Sequence, residues 1–264
     1  TGARATLTSA TQGVTVITGA VDVPDIPGGA SREVPAPFTF TVGGSVACGT
    51  LIELDLEVSG QGFVSRVPMT VSVGTATPVT LLQDDIDSGA AAWTHGSSIK
   101  KKKNRIDTWV ISERRSHSGS KSWFTPNLGK QTDAFLSTAP LAIPADGKDV
   151  RLTFFHTFEF EPGGFDGGVI EISTGGAFED LGQHIIKGRY NGALLSFGEN
   201  TLKGRPGWIG GRHGEFQPVV IDMSSFAGKT VTIRFRIGTD STVKGLGWYI
   251  DDVKLDGVRV RCGP

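Results

Sequence analysis

Two neighbouring carboxylates, Asp251 and Asp252, lie in the stretch GLGWYIDDVKL (245–255), whose alternation otherwise describes a β-strand. Trp248, Ile250, Asp252 and Lys254 fall on one face of that strand, and Tyr249, Asp251, Val253 and Leu255 on the other. A carboxylate in so apolar a strand needs a hydrogen-bonding partner, an opposite charge or a metal ion to offset its desolvation. A second acidic set, Asp84, Asp85 and Asp87, sits beside Ser88 in QDDIDSG (83–89). Carboxylates gathered from distant strands can serve a hard cation such as calcium, which tolerates irregular oxygen shells. Hydrolytic chemistry finds no such support. There is no HExxH helix, the five histidines (95, 117, 156, 184 and 213) lack zinc-ligand spacing, and no GxSxG elbow occurs.

The elements that must position these acids are β-strands. In VTIRFRIG, Val231, Ile233, Phe235 and Ile237 alternate with Thr232, Arg234 and Arg236. In LIELDLEV, Ile52, Leu54, Leu56 and Val58 form a dry face, and Leu51, Glu53, Asp55 and Glu57 a wet one. Further strands are expected in PFTFTVGG (37–44), FVSRVPMTVSV (63–73), DVRLTFFHTFEF (149–160), GGVIEIST (167–174) and FQPVVIDM (216–223). The 37 glycines and 13 prolines suit many tight turns. No amphipathic helix of useful length is visible; IDMSSFAGK can make one turn, capped by Asp222 or Ser224.

The length of 264 residues leaves room for two domains, and composition divides the chain near Pro78. Residues 1–79 hold three Arg against six acids and no Lys or Trp, and every Lys and Trp follows. The expected organisation is an immunoglobulin-like β-sandwich over 1–79 and a larger β-sandwich over 80–264, an all-β protein. A net charge of −1 and 38% hydrophobic residues describe a soluble globular chain rather than a disordered tail or a nucleic-acid binder. No apolar run is long enough to span a bilayer. The start TGARATLTSATQG has no signal-peptide pattern, so the chain reads as a mature fragment of something longer. Cys48 and Cys262 either form a disulfide tying the C-terminal tail to the first module or stand as two separate thiols.

The second module resembles the MAM-like jelly-roll domain of secreted bacterial proteins, notably that of immune-inhibitor-A-type metallopeptidases. The pieces that carry the likeness occur in order: DDIDSGAAAW (84–93), SHSGSKSW (116–123), AFLSTAPLAIP (134–144), LTFFHTFEFE (152–161), FDGGVIEISTGGAFEDL (165–181), IDMSSFAGKTVTIRFRIGTD (221–240) and GWYIDDVKL. The first module resembles the Ig-like or CARDB-like modules that precede such domains, through CGTLIELDLEVSG (48–60). The resemblance implies an extracellular or cell-surface setting and an accessory role beside a catalytic domain elsewhere in the parent chain. It also implies a structural calcium between the segment opening the first jelly-roll strand and the last strand. Asp84, Asp85 or Asp87 would then meet Asp251 or Asp252, with Ser88 completing the shell; the alternative is acids in exposed turns, or paired with Arg234 or Arg236.

Other candidates are more local. Asp166 in FDGG (165–168) fits either a tight turn or a second cation or ligand site. Trp93, Trp123 and Trp248 read as core, whereas Trp208, in the Gly-rich GRPGWIGGRHGEF with Arg205 and Arg212 nearby, is the aromatic to choose for a ligand contact. The run Lys100–Lys103, followed by Arg105, reads first as a solvated loop and second as a polyanion site. The leading expectation is a non-catalytic accessory region of a secreted hydrolase of protease type, attaching to substrate or surface. The alternatives are a carbohydrate-binding or adhesion module, with a glycan or extracellular-matrix protein as partner, and a structural spacer.

Overall fold

The computed structural model describes residues 2–89, 91–99, 106–211 and 213–262. The chain forms two compact units, one of residues 1–77 with 260–264 and the other of residues 78–259. The division near residue 78 therefore falls where composition changes, while the last five residues belong to the first unit.

The first unit contains β1 (Ala3–Ser9), β2 (Val14–Thr18), β3 (Ala20–Val23), β4 (Thr39–Val42), β5 (Leu51–Gly60) and β6 (Phe63–Ser72). They pair as a four-stranded sheet, β3-β1-β5-β6, and a β2-β4 ribbon. Leu7, Ile52 and Leu54 form its buried centre, so the dry face read from LIELDLEV is the inner one. Cys48 and Cys262 are joined by a disulfide with Cα atoms 5.8 Å apart, closing a separation of 214 residues.

The strand β7 (Thr75–Asp84) enters the second unit at Pro78, and β8 (Trp93–Ser97), β9 (Val110–Ser112), β10 (Ser122–Asn127), β11 (Thr132–Thr138), β12 (Leu141–Ala142) and β13 (Gly147–Glu159) lie within it. There follow β14 (Gly167–Ser173), β15 (Glu179–Asp180), β16 (Ile185–Lys187), β17 (Gly192–Ala193) and β18 (Pro206–Ile209). The last are β19 (Gln217–Asp222), β20 (Thr230–Thr239) and β21 (Gly245–Arg261), whose final two residues belong to the first unit. One sheet runs β16-β19-β13-β21-β10-β9, with β7 also on β21. The other runs β17-β18-β14-β20-β11-β8, with β12 on β20 and β15 on β14. The core is filled by inward residues of both sheets, among them Phe154, Ile221, Ile233, Phe235, Trp248 and Leu255. The expected turn after β19 is a single 3-10 turn, Ser224–Phe226, whose first N–H donates to Asp222 Oδ1 at 2.9 Å.

The strand that raised the first question departs from simple alternation. Thr153 pairs with Lys254 but Phe155 with Asp251, so Asp252 and Val253 together oppose Phe154. Asp252 has φ 48°, the left-handed conformation of a β-bulge. The extra residue reverses the faces halfway along the strand. Trp248 and Ile250 point into the core before it, Val253 and Leu255 after it. The two faces expected of this strand are corrected accordingly.

Candidate ligand-binding site

The bulge delivers Asp251 and Asp252 to one short turn, residues 116–121. Asp251 is fully buried, and its Oδ2 accepts the backbone N–H groups of His117 (2.6 Å) and Ser118 (3.3 Å), while its Oδ1 accepts that of Asp252 (2.8 Å). Burial nevertheless pushes its carboxyl up to about 6, with the Asp252 charge adding to the rise. Asp252 holds the same turn through its side chains: its carboxylate meets His117 Nδ1 at 2.5 Å and the Ser118 hydroxyl at 2.7 Å. Asp87 grips the turn's other end, accepting from Ser120 N (2.9 Å) and Ser120 Oγ (3.0 Å). The Ser120 backbone N–H is the largest influence on Asp87, whose pKa lies below its ordinary value.

Asp84 is spent differently. Its Oδ1 accepts Ile86 N–H at 2.8 Å and its Oδ2 the indole N–H of Trp93 at 2.7 Å, which fixes the segment opening the sandwich. Among the described residues, Asp84, Asp85, Asp87, Asp251 and Asp252 do not bring three carboxylate oxygens within 4.8 Å of one another; Glu161, Asp166 and Asp240 do. The acids expected to share a calcium are held chiefly by N–H and O–H donors of the protein. Arg234 and Arg236, the alternative partners, pair elsewhere.

Four of the six residues in that expected set do share one feature. Asp84, Asp85, Ser88 and Asp252 line a cavity of about 650 Å³, whose wall also includes Phe155 and Lys254. Gln83 and Thr153 add polar groups, and Ala91 and Ala92 add apolar surface. Gln83, Asp85 and Ser88 are exposed. Phe155 stacks on His117, with centroids 3.6 Å apart and planes 12° apart. His117 in turn lines a second concavity of about 440 Å³ with Arg115 and Phe216. The same sheet face continues through Phe124 stacked on Tyr249 (4.4 Å), with Arg115 5.9 Å from both the Tyr249 and Phe216 rings. Acceptors, donors and aromatic carbon thus meet on a face with space beside it. That combination suits a polyhydroxylated ligand whose hydroxyls meet carboxylate and amide and whose C–H surface meets a ring.

The remaining expected residues fall into other settings. Trp208 does not face a ligand: it is 1% exposed, donates its indole N–H to Gly188 O at 3.1 Å, and packs edge-on against Phe154, Tyr190 and His156. Trp208 itself lies in strand β18 within the Gly-rich stretch, where Gly207 lets the chain pass close to Gly168 O. Arg205 binds the carboxylates of Glu171 and Asp180, the latter at 2.6 Å, beside a cavity of about 590 Å³. Arg212 and the Lys100–Lys103 run with Arg105 lie outside the described residues. Asp166 is fully buried and accepts Asp240 N–H at 2.7 Å.

Sequence reasoning missed Gln83, Phe155 and Lys254. The available signal was the doublet Phe154–Phe155, since adjacent strand residues must face opposite ways and one Phe therefore lies outside the core.

Fold and site together define an all-β protein whose second unit is a two-sheet β-sandwich with a partly aromatic, partly acidic cavity beside one sheet. No family model matches the chain, and no curated protein matches it. Solved structures with partial likeness include the TmCBM61 carbohydrate-binding module in complex with beta-1,4-galactotriose (13% identity, TM-score 0.40, 69% of this chain and 99% of that one). Another is the CBM27-1 module of Caldicellulosiruptor saccharolyticus in complex with mannohexaose (14%, 0.40, 71% and 99%). A third is the K1 cleaved adhesin domain of Lys-gingipain from Porphyromonas gingivalis (16%, 0.32, 72% and 100%). At these values the likeness assigns neither family nor ligand.

Proposed function

We propose that the second unit is a non-catalytic saccharide-binding module whose site is the cavity bounded by Gln83, Asp85, Ser88, Phe155 and Asp252. One observation carries the reading: exposed hydrogen-bonding groups and a phenyl ring border one cavity of about 650 Å³, within the size range of small-ligand sites. In this reading Asp85 and Gln83 take up sugar hydroxyls, and Phe155, held by the His117 stack, supplies the apolar wall. The turn clamped by Asp87, Asp251 and Asp252 keeps that stack in place. The protein acts by attachment, with no bond made or broken.

The disulfide favours an oxidising compartment and hence an extracellular or cell-surface setting. The first unit, with its two small sheets, we read as an Ig-like support, and the whole as an attachment region of MAM-like type that can serve a larger secreted protein. Binding of an oligosaccharide panel by the whole chain, followed by calorimetric titration of any hit, tests this. Binding abolished in Asp85→Ala and Phe155→Ala, with unchanged folding, is the expected result. No binding to any sugar at millimolar concentration contradicts it.

A further inference from the structure

The second unit contains another acidic constellation, made of residues that do not line the cavity. Ligand oxygens of Glu161, Asp166 and Asp240 lie within 4.8 Å of one another. Glu161 is 8% exposed and Asp166 fully buried. These residues come from the two turns that carry the chain between the sheets: Glu161 and Asp166 from the turn joining β13 to β14, Asp240 from the turn joining β20 to β21. The first turn closes through Gly163 and Gly164 at φ 90° and 82°, and a Cβ on Gly164 would stand 2.7 Å from Ala193 O. The second closes through Thr242, whose N–H and hydroxyl both bond Asp240 Oδ1, at 2.9 and 2.8 Å.

The donors supplied locally leave oxygens unused. Asp166 Oδ1 accepts Asp240 N–H at 2.7 Å, but the buried Asp166 Oδ2 has no hydrogen-bond partner. Beside it stands Asn127, the last residue of β10, only 2% exposed; its amide lies close enough to draw the Asp166 pKa down, yet neither its oxygen nor its nitrogen reaches hydrogen-bonding geometry with a described residue. Burial drives the Asp166 carboxyl up to about 6, and the charges of Asp240 and Glu161 push the same way. Glu161 is raised as well, by burial first and by Asp240 second. Clustered buried carboxylates repel one another and cost solvation, and an unpartnered amide beside them adds to that cost. A cation relieves all of these at once.

We propose that Glu161, Asp166 and Asp240, with the side-chain oxygen of Asn127, form a divalent-cation site of calcium type. Every available donor atom is a hard oxygen, and the set comes from three chain segments rather than one compact loop, which suits calcium better than magnesium with its strict octahedron. The ion would tie both inter-sheet turns to the end of β10 and so fasten the two sheets along one end of the sandwich. This site does not depend on saccharide binding in the cavity.

The five tryptophans all lie in the second unit, so their fluorescence follows its unfolding alone. The test is thermal unfolding of chelator-stripped whole protein with and without millimolar calcium chloride, alongside calorimetric titration of calcium. A calcium concentration about 100-fold above Kd should raise the fluorescence midpoint by about 5–10 °C, with one ion bound per chain. Asp166→Asn and Asp240→Asn should abolish the response. Stripped Asp166→Asn should also melt no lower than stripped wild type, because it removes a repelling charge. Asp252→Asn, at the other acidic set, should respond as wild type does. Should a variant fail to fold, Glu161→Gln provides the same readout. The proposal is overturned by a wild-type protein that neither binds nor is stabilised by calcium. It is equally overturned if Asp166→Asn and Asp240→Asn keep the response or Asp252→Asn loses it.

Discussion

The two outer faces of the second unit spend their polar groups in opposite ways. On the β14-β20-β11 side, Glu171 is 2% exposed and surrounded by three guanidinium groups: Arg205, Arg234 at 2.5 Å and Arg236 at 3.3 Å. Arg236 also forks onto both oxygens of Asp133 at 2.7 Å, and Arg205 reaches Asp180. The Arg234 guanidinium lies 3.7 Å from the Phe178 ring centroid. Charges here are matched within the protein. On the β13-β21-β10 side the acids hold a turn, and what remains at the surface is Phe155, Phe216, Gln83, Asp85 and Ser88 beside open space. A face that satisfies itself is structural, and a face with acceptors and rings to spare is where a partner fits.

Breaking the closed face should cost most. Glu171→Ala leaves the three arginines without their shared counter-charge, and a loss of about 3–5 kcal/mol is expected in tryptophan-monitored denaturant unfolding. A loss below about 1 kcal/mol would mean that the network is solvated. On the other face, Asp251→Ala removes the acceptor of three backbone N–H groups. We expect about 1–3 kcal/mol, together with weakened saccharide binding as His117 and Phe155 lose their fixed stack.

The two buried acids should also oppose each other in pH dependence. Burial works against the Glu171 charge, but its arginines win and hold its pKa below the ordinary value. Its contribution is therefore present at neutral pH and lost as pH falls through the folded pKa. Asp251 is raised from 3.8 to about 6, so the folded state binds the extra proton. Its stability contribution is greatest below about 4, declines as pH rises towards 6, and is constant above that, with a slope of at most about 1.4 kcal/mol per unit. Unfolding measured from pH 4 to 7 should show this decline in wild type minus Asp251→Asn, and the reverse trend in wild type minus Glu171→Gln. Smallest of all, Gln83→Ala and Asp85→Ala should shift stability by no more than about 0.5 kcal/mol, since both are exposed.

The closed face was the more legible in sequence. Strict alternation in VTIRFRIG puts Val231, Ile233, Phe235 and Ile237 fully in the core and turns Arg234 and Arg236 outward, as periodicity requires. The open face was not, because one inserted residue at Asp252 exchanges the faces of β21, and nothing in WYIDDVKL marks which carboxylate takes the left-handed conformation. Trp208 misled for a related reason. Its glycines read as a loop, but Gly207 lets two strands approach closely: a Cβ there would stand 2.9 Å from Gly168 O. The union of Glu161, Asp166, Asp240 and Asn127 depends on which turns meet, a property of sheet order rather than of any local pattern. Asp166 alone was visible, through its place before a Gly pair.

Calorimetric titration of an oligosaccharide selected from the panel into wild type and Asp85→Ala, under identical conditions, tests the central claim most directly. Saturable one-site binding by wild type, lost in a variant whose fluorescence unfolding is unchanged, is the predicted result. Equal binding by both proteins, or by neither, would contradict the assignment of the cavity as a saccharide site.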